Sequence, residues 1–344
     1  MRPWIVVVMI VFLAACGATT PDSGSGAGTS TASSTAGSPV ANATEAEQVR
    51  VALDWTPNPN HTGLYVASDQ GYYQQHGLDV EIVQAQEGGT VEQLVAAGRL
   101  DFGISYQEAV TLARGEGLPI VSVAAVIQHN DSGFASRTSA NITSPKDWEG
   151  KKYGSFGSPV EQAVIKGLMD CAGADFTKVQ FIDIGTTDFF VASERGDVDF
   201  AWIFQGIQGV QAQTNGIKLN MIMMNDLRCV PDYYTPVIIT SEQLIAERPE
   251  VVRRFVAATS QGYQLAIRSP EQAANILVKA APELDAAGVR ASQAYLASRY
   301  QADAPRWGEQ RAEIWRGYAQ WMNERQLITT MIEPEQAFTN QFLP

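Results

Sequence analysis

The chain has 344 residues, 45% of them hydrophobic, with 37 acidic and 24 basic side chains and a net charge of -13. This length and apolar content allow a large core and predict two domains rather than one. The acidic balance argues against nucleic acid as a partner, because binding to a phosphate backbone depends on an excess of lysine and arginine.

The first sixteen residues resemble an export signal. Arg2 supplies a positive charge, and an unbroken apolar run extends from Trp4 to Leu13. This run is too short for a permanent membrane span and fits the apolar region of a signal peptide, which we place at residues 1–15. The segment Leu13-Ala14-Ala15-Cys16 is similar to a bacterial lipobox, in which cleavage precedes the cysteine and the cysteine is lipid-modified. We expect lipidation of Cys16 on the extracytoplasmic face of the cell membrane; the alternative is a plain signal peptide with a chance cysteine.

A low-complexity tract follows the signal. Residues 17–45 are mostly Gly, Ser, Thr, Ala and Pro. Such a tract buries too little apolar surface to offset its ordering entropy, so residues 16–46 are predicted to form a lipid-anchored flexible linker. Signal and linker together argue against a cytoplasmic enzyme.

The folded part opens with an apolar strand and a proline-rich polar segment. Val49 to Leu53 predicts a strand, and the alternate prolines Pro57 and Pro59 exclude both helix and paired strand. Asp54 to His61 should therefore be a rigid loop before a helix over 64–76. The loop would lie at the carboxyl end of a strand, the usual ligand position in an open α/β sheet. An ordinary loop whose polar residues only cap the helix is the alternative.

Strands and helices then alternate along the chain. Strands are predicted over 80–83, 101–105, 120–127, 152–155, 179–184, 198–203, 219–224 and 234–240. Helices are predicted over 91–97, 108–114, 160–171, 189–195 and 206–214, and again over 249–269, 270–281, 286–300, 308–325 and 334–340. This alternation indicates right-handed βαβ units and mainly parallel sheets.

The pattern restarts once, which predicts two doubly wound α/β lobes with a ligand cleft between them and a helical C-terminal tail. We assign lobe 1 to residues 47–135 plus 232–344 and lobe 2 to 136–231, with hinge crossings near 128–136 and 228–235. Trp307, Trp315 and Trp321 should be core residues of the tail.

Motifs for catalysis or metal binding do not emerge. The histidines are His61, His76 and His129, without metal-ligand spacing, and no dinucleotide loop, phosphate loop or nucleophile elbow is present. We predict no catalytic residue, no metal and no cofactor. Cys171 and Cys229 could form a disulfide or remain two buried thiols.

The segment Leu53-Asp54-Trp55-Thr56-Pro57-Asn58-Pro59-Asn60-His61-Thr62-Gly63 closely resembles the family of taurine, sulfonate and thiamine-precursor binding proteins. The likeness covers roughly residues 49–270, including Gly98 to Gly103 and Gly196 to Asp199. It implies a type II periplasmic-binding-protein fold and a monomer that carries a small molecule to the permease and ATPase subunits of an ABC importer.

The resemblance is strongest to the branch that handles the thiamine pyrimidine. That branch also contains a pyrimidine synthase that consumes its own histidine, which His61 matches by position. The synthase carries clustered cysteines where this chain has only Cys229, which disfavours the enzyme. Binding members tend to have a glutamate after the strand at 198–203; here Trp202 and Phe204 add aromatic surface instead and favour a larger, neutral, flat ligand.

A flat heteroaromatic ring is best held between aromatic faces, with amides and hydroxyls reading its edges. The aromatic residues predicted to stack on the ring are Trp55, Tyr106, Trp202, Phe204, Tyr233 and Tyr234. The residues predicted to hydrogen-bond to its edges are Asp54, Asn58, Asn60, Gln107, Ser158 and Gln205, with His61 as a further hydrogen-bonding residue. Trp55 is the expected stacking plate.

Related riboflavin-binding lipoproteins of ABC importers share the Asp-Trp segment and need such a wide slot. We therefore rank riboflavin first, the thiamine pyrimidine second, and sulfonate or nitrate third, since an anion would require an arginine or a helix N-terminus. Two functions other than import remain open at this point: the synthase, and a lipoprotein that senses a ligand for a membrane kinase.

Overall fold

The computed structural model describes residues 46–84, 89–185 and 187–344. The signal peptide, the lipidated Cys16 and nearly all of the predicted linker lie outside the described residues. In chain order the described strands are β1 (Glu47–Ala52), β2 (Leu78–Val83), β3 (Phe102–Ser105), β4 (Ile120–Ala125), β5 (Ser132–Arg137), β6 (Lys152–Ser155), β7 (Gln180–Asp183), β8 (Phe200–Phe204), β9 (Leu219–Met223) and β10 (Val237–Ser241).

The described α-helices are α1 (Thr62–Asp69), α2 (Tyr72–Gln75), α3 (Val91–Ala96), α4 (Gln107–Gly115), α5 (Pro159–Cys171), α6 (Phe189–Glu194), α7 (Val210–Thr214), α8 (Met224–Leu227), α9 (Glu242–Glu247), α10 (Pro249–Arg268), α11 (Pro270–Ala280), α12 (Ala286–Leu296), α13 (Ala312–Glu324) and α14 (Pro334–Ala337). Short 3-10 helices span Pro59–His61, Thr138–Ala140, Pro145–Trp148 and Phe176–Lys178, and a π-helix spans Gln205–Gly209. None of the helices in the described ranges is both long enough and apolar enough to span a membrane.

The strands form two mixed sheets. The first has the order β2-β1-β3-β10-β4 and the second the order β7-β6-β8-β5-β9. We call the first sheet with the helices packed on it the first lobe, and the second sheet with its helices the second lobe. The chain passes from the first sheet to the second between β4 and β5, and returns between β9 and β10. The fold predicted from the sequence, α/β with two wound lobes and C-terminal helices, is confirmed.

The prediction of mainly parallel sheets is wrong. β10 lies antiparallel to β3 and β4, and β5 lies antiparallel to β8 and β9. Among the described strands, β1 lies parallel to β2 and β3, and β6 lies parallel to β7 and β8. In each sheet, the strand with antiparallel neighbours is the first strand reached after the chain crosses between the sheets, so it enters without a βαβ connection.

Two local predictions also need correction. The helix expected over 64–76 is divided into α1 and α2, because Gly71 between them adopts a left-handed conformation with φ of 68°. Pro59 does not exclude helix: it occupies the first position of the 3-10 helix Pro59–His61, where its missing N–H leaves no unpaired donor.

The core uses the residues that the sequence marked as apolar. Trp307, Trp315 and Trp321 are 1%, 1% and 5% exposed, which confirms their assignment to packing. Cys171 and Cys229 are joined by a disulfide, with Cα atoms 6.2 Å apart. This bond resolves the alternative that the sequence left open.

Candidate ligand-binding site

The loop after β1 is held rigidly by its own side chains and by the C-terminal helices. The Asn58 carboxamide oxygen accepts from the Asn60 N–H at 3.0 Å and caps the 3-10 helix. The hydroxyls of Tyr263 and Tyr300 donate to the carbonyls of Asn60 and Pro59 at 2.6 and 2.7 Å. The loop is thus fixed at the carboxyl end of β1, as the sequence predicted.

His61 is fully buried and locked in one orientation. Its Nδ1 accepts from the Asn58 N–H at 3.3 Å, so the ring proton lies on Nε2, which donates to Asp54 Oδ1 at 2.6 Å. The Tyr106 hydroxyl donates to the other oxygen of Asp54. Burial by itself raises the pKa of Asp54, but the contacts with His61 and Tyr106 outweigh it and lower the pKa below its usual value. Asp54 is therefore an ionised residue that positions His61 and Tyr106.

Tyr106 and Phe204 bring the two lobes face to face. Tyr106 follows β3 in the first sheet, and Phe204 is the last residue of β8 in the second. Their ring centroids lie 6.4 Å apart with an interplanar angle of 19°. A flat ring inserted between two others needs about 7 Å between the outer planes, twice the van der Waals spacing. A small parting of the lobes would convert this contact into a slot for a flat heterocycle.

Trp202 extends the aromatic surface of the second lobe. It lies two residues before Phe204 on β8 and so faces the same side of the sheet. Its Nε1 donates to the Ser132 hydroxyl at 2.7 Å, and its ring packs 5.6 Å from Phe134. Gln205 begins the π-helix directly after β8, where its N–H donates to the Asp131 carbonyl at 2.8 Å. The carboxyl end of β8 therefore presents two half-buried aromatic rings and one amide.

Other predicted site residues have structural partners. The Gln107 amide accepts from the Tyr234 N–H at 2.8 Å and donates to the Ile314 carbonyl at 3.4 Å, and the Tyr234 hydroxyl accepts from the Arg311 N–H at 2.9 Å. Both side chains are fully buried and fix the returning crossing to the first lobe. Ser158 is exposed and caps α5, accepting from the Val160 N–H at 3.4 Å. Trp55, beside Asp54, is 42% exposed and free to stack.

The N-terminus of α5 is filled by the protein itself. The Glu161 carboxylate accepts from the Ser155 hydroxyl at 2.7 Å and from the N–H groups of Phe156 and Ser158 at 3.1 and 3.2 Å. Backbone N–H groups at a helix N-terminus are a common anion site. Because Glu161 already supplies the negative charge here, this part of the second lobe is unsuited to a sulfonate.

The sequence analysis predicted only Tyr233 among a group of buried polar residues that lie on the two crossings and on α4 and α13. Buried polar atoms without a hydrogen-bond partner in the described residues include Glu108 Oε2, Asn130 Nδ2 and the hydroxyls of Tyr233 and Tyr318. Leaving such an atom unpaired costs about 1–3 kcal/mol. Glu108 could have been found, since it follows Tyr106 at the end of β3, but Tyr318 lies on α13, far along the chain.

The fold is that of the periplasmic-binding proteins. The solved alkanesulfonate-binding protein SsuA from Xanthomonas axonopodis pv. citri, bound to MOPS, superposes with a TM-score of 0.67 at 15% identity, covering 86% of this chain and 99% of that one. The aliphatic sulphonate-binding SsuA from Escherichia coli gives a TM-score of 0.65 at 18% identity, covering 84% and 91%. The family model described as NMT1/THI5 like matches residues 58–273, and the chain belongs to that family.

Named relatives divide between binding proteins and synthases. A formylaminopyrimidine-binding protein of Halalkalibacterium halodurans is 29% identical over 97% of both chains. The riboflavin-binding protein RibY of Chloroflexus aurantiacus is 26% identical over 98% of this chain and 96% of its own. A 4-amino-5-hydroxymethyl-2-methylpyrimidine phosphate synthase of Legionella pneumophila is 26% identical over 71% and 77%. The predicted resemblance is confirmed at the level of family and fold.

Proposed function

We propose that the chain is the solute-binding lipoprotein of an ABC importer that captures a flat heteroaromatic vitamin, riboflavin first, and delivers it to a permease. The observation that carries this proposal is the near-parallel pair Tyr106 and Phe204, one from each lobe. Trp55 and Trp202 extend the two aromatic surfaces, and the self-capped N-terminus of α5 favours a neutral ligand over an anion. The similarity to RibY over nearly the whole chain supports riboflavin.

The formylaminopyrimidine is the second candidate ligand. The relative named for it is 29% identical over 97% of this chain, slightly more similar than RibY. A single pyrimidine would fill less of the aromatic surface that Trp202 and Phe204 create together, so we rank it second.

The arrangement of His61 and Cys229 supports a binding protein over a synthase. His61 is buried with both ring nitrogens engaged, so it is not presented to a ligand as a reagent. Cys229 is bonded to Cys171 and has no free thiolate to hold a metal. A His61→Asn variant distinguishes the two functions: a receptor would keep much of its affinity, whereas a synthase would lose all product.

The ligand is tested by titrating the purified protein with riboflavin while following flavin fluorescence, and with formylaminopyrimidine by calorimetry. Quenching at submicromolar protein supports riboflavin; heat with the pyrimidine and no quenching reverses the ranking. Phe204→Leu should weaken binding roughly fivefold, the value of one lost aromatic stack. Phe176→Leu, a half-buried phenylalanine of the same lobe that packs on Phe181, is the matched control and should leave affinity unchanged.

A further inference from the structure

Asn130 and Tyr233, one on each crossing, and Tyr318 on α13 form a buried polar cluster that hydrogen bonds connect to Trp202. From Trp202, the hydrogen-bond path runs through the Ser132 hydroxyl to the Asn130 carboxamide oxygen, at 2.7 Å for each step. Asn130 and Tyr233 are held side by side, because the N–H groups of both donate to Asp232 Oδ1, at 2.9 and 3.0 Å. The unpaired Asn130 Nδ2 therefore lies at the end of a path that starts on the aromatic wall.

Tyr318 and Glu108 complete the cluster from the first lobe. The rings of Tyr233 and Tyr318 lie 4.3 Å apart. Burial raises the pKa of both phenols well above the usual value, and the nearby Glu108 carboxyl raises it further. Glu108 lies in the first turn of α4, two residues after Tyr106, whose ring stacks on Phe204, and its buried Oε2 has no hydrogen-bond partner in the described residues.

The cluster is neutral at pH 7 and rich in donors. Burial, with a smaller contribution from the Glu92 carboxylate, raises the pKa of Glu108 to about 8, so its carboxyl both donates and accepts. Asn130 Nδ2 is a donor, and each tyrosine hydroxyl can donate or accept. The complementary ligand edge carries carbonyl acceptors next to an N–H, the pattern of a cyclic imide.

We propose that Glu108, Asn130, Tyr233 and Tyr318 form a neutral hydrogen-bonding pocket that recognises the imide edge of a fused-ring heterocycle whose faces stack on the aromatic walls. The Glu108 carboxyl makes two hydrogen bonds: its O–H donates to one ring carbonyl, and its other oxygen accepts from the imide N–H. Asn130 Nδ2 and the tyrosine hydroxyls donate to the second ring carbonyl. This inference rests on the proposed function and names the part of the ligand that the protein selects.

The experiment compares riboflavin with riboflavin methylated at the imide nitrogen, using flavin fluorescence and the purified full chain. Methylation should weaken binding by at least about tenfold, and so should Glu108→Ala. Glu108→Gln keeps a donor and an acceptor and should stay within about threefold of the wild type. Glu116→Gln, an exposed residue directly after α4, is the matched control.

A pH profile provides a readout that a merely structural role would not move. Affinity should fall as the pH rises through about 8, where Glu108 ionises, and this dependence should vanish in Glu108→Gln. The other titratable groups near Glu108 are Glu92 and the phenols of Tyr106, Tyr233 and Tyr318, and burial holds the pKa of those phenols far above this range.

The outcomes separate the two proposals. If riboflavin binds tightly and neither imide methylation nor Glu108→Ala weakens the binding, the proposed imide-binding pocket is wrong and the proposed function stands. Binding of the pyrimidine without riboflavin overturns the imide edge and the first-ranked ligand, while import of a vitamin precursor stands. Binding of neither ligand overturns both. If Glu108→Ala unfolds, as judged by its thermal transition, the methylated ligand and the pH profile decide.

Discussion

Cys171, the last residue of α5, is bonded to Cys229, which lies two residues beyond α8 on the crossing that returns to the first sheet. The bond closes a loop with a sequence separation of 58 residues and fastens one end of the crossing to a helix of the second lobe. The segment that links the lobes is thereby anchored on one side.

Removing both cysteines should lower the free energy of unfolding substantially. In the chain-entropy view, closing a loop of this length restricts the unfolded chain by about 4 kcal/mol. We expect the double variant Cys171→Ala, Cys229→Ala to lose about 2–4 kcal/mol in urea denaturation relative to the oxidised wild type. Reduced wild type should behave like the double variant; equal stability of oxidised and reduced protein would contradict this account.

His129 connects the two crossings and should make stability depend on pH. Its Nδ1 lies 2.5 Å from Asp232 on the other crossing, and its Nε2 lies 2.8 Å from Asp303. The hydrogen bond with Asp232, aided by that with Asp303, raises the pKa of His129 to about 9, above its ordinary value of 6.5. A raised pKa means that the stabilisation is complete below about pH 6.5 and is lost as the pH rises through about 9.

The check is a series of thermal transitions across this range. His129→Gln should lower Tm at pH 6, and the difference from the wild type should disappear above about pH 9. Because His129 is 41% exposed, solvent screening should keep the effect small. His76→Gln is the control, since His76 contacts the neutral Gln261. A Tm difference that persists at pH 10 would show that packing, not charge, is lost.

The loop after β1 could be predicted from sequence because its information is local. Prolines at alternate positions, a strand before and a helix after fixed its position at a strand end without any knowledge of tertiary contacts. The same reasoning placed Tyr106 and Phe204 at strand ends, and the structure brings their rings together. Residues at strand ends and in turns are thus the parts of the site that can be predicted from the sequence.

Features that depend on distant contacts could not be predicted. The sequence predicts a hinge crossing near 128–136, but Ser132–Arg137 forms β5, which is almost entirely buried between β8 and β9. A strand that is buried on both faces shows no alternation of apolar and polar residues, so the pattern does not reveal it. Likewise, nothing in the spacing of Cys171 and Cys229 revealed their bond. The sequence predicts Gln107 and Tyr234 as ligand-binding residues, but the side chain of each is hydrogen-bonded to the backbone of a segment that is remote in sequence.

The helices α1 and α10 cross at two glycines, and enlarging one should destabilise the first lobe. A Cβ on Gly262 would lie 2.0 Å from the Gly63 carbonyl oxygen, a backbone atom that cannot rotate away. Gly262→Ala should therefore cost about 3 kcal/mol or more in urea denaturation. Gly317→Ala on α13 is the matched control: its Cβ meets only Pro231 at 4.0 Å. That change should be neutral or stabilising by about 0.5–1 kcal/mol, from its helix propensity.

Tyr106 has two separable roles, a ring that stacks on Phe204 and a hydroxyl that donates to Asp54. Tyr106→Phe removes only the hydroxyl, so ligand affinity should change little, whereas Tyr106→Leu removes the ring and should weaken binding roughly fivefold.

The effect of Tyr106→Phe should appear in acid unfolding instead. Asp54 has a lowered pKa, so its stabilisation is present above the unfolded-state value and is lost as the pH falls through the folded-state pKa. Without the hydroxyl that pKa rises, and acid unfolding should begin at a higher pH than in the wild type. Identical acid transitions combined with lost affinity would assign the hydroxyl to the ligand rather than to Asp54.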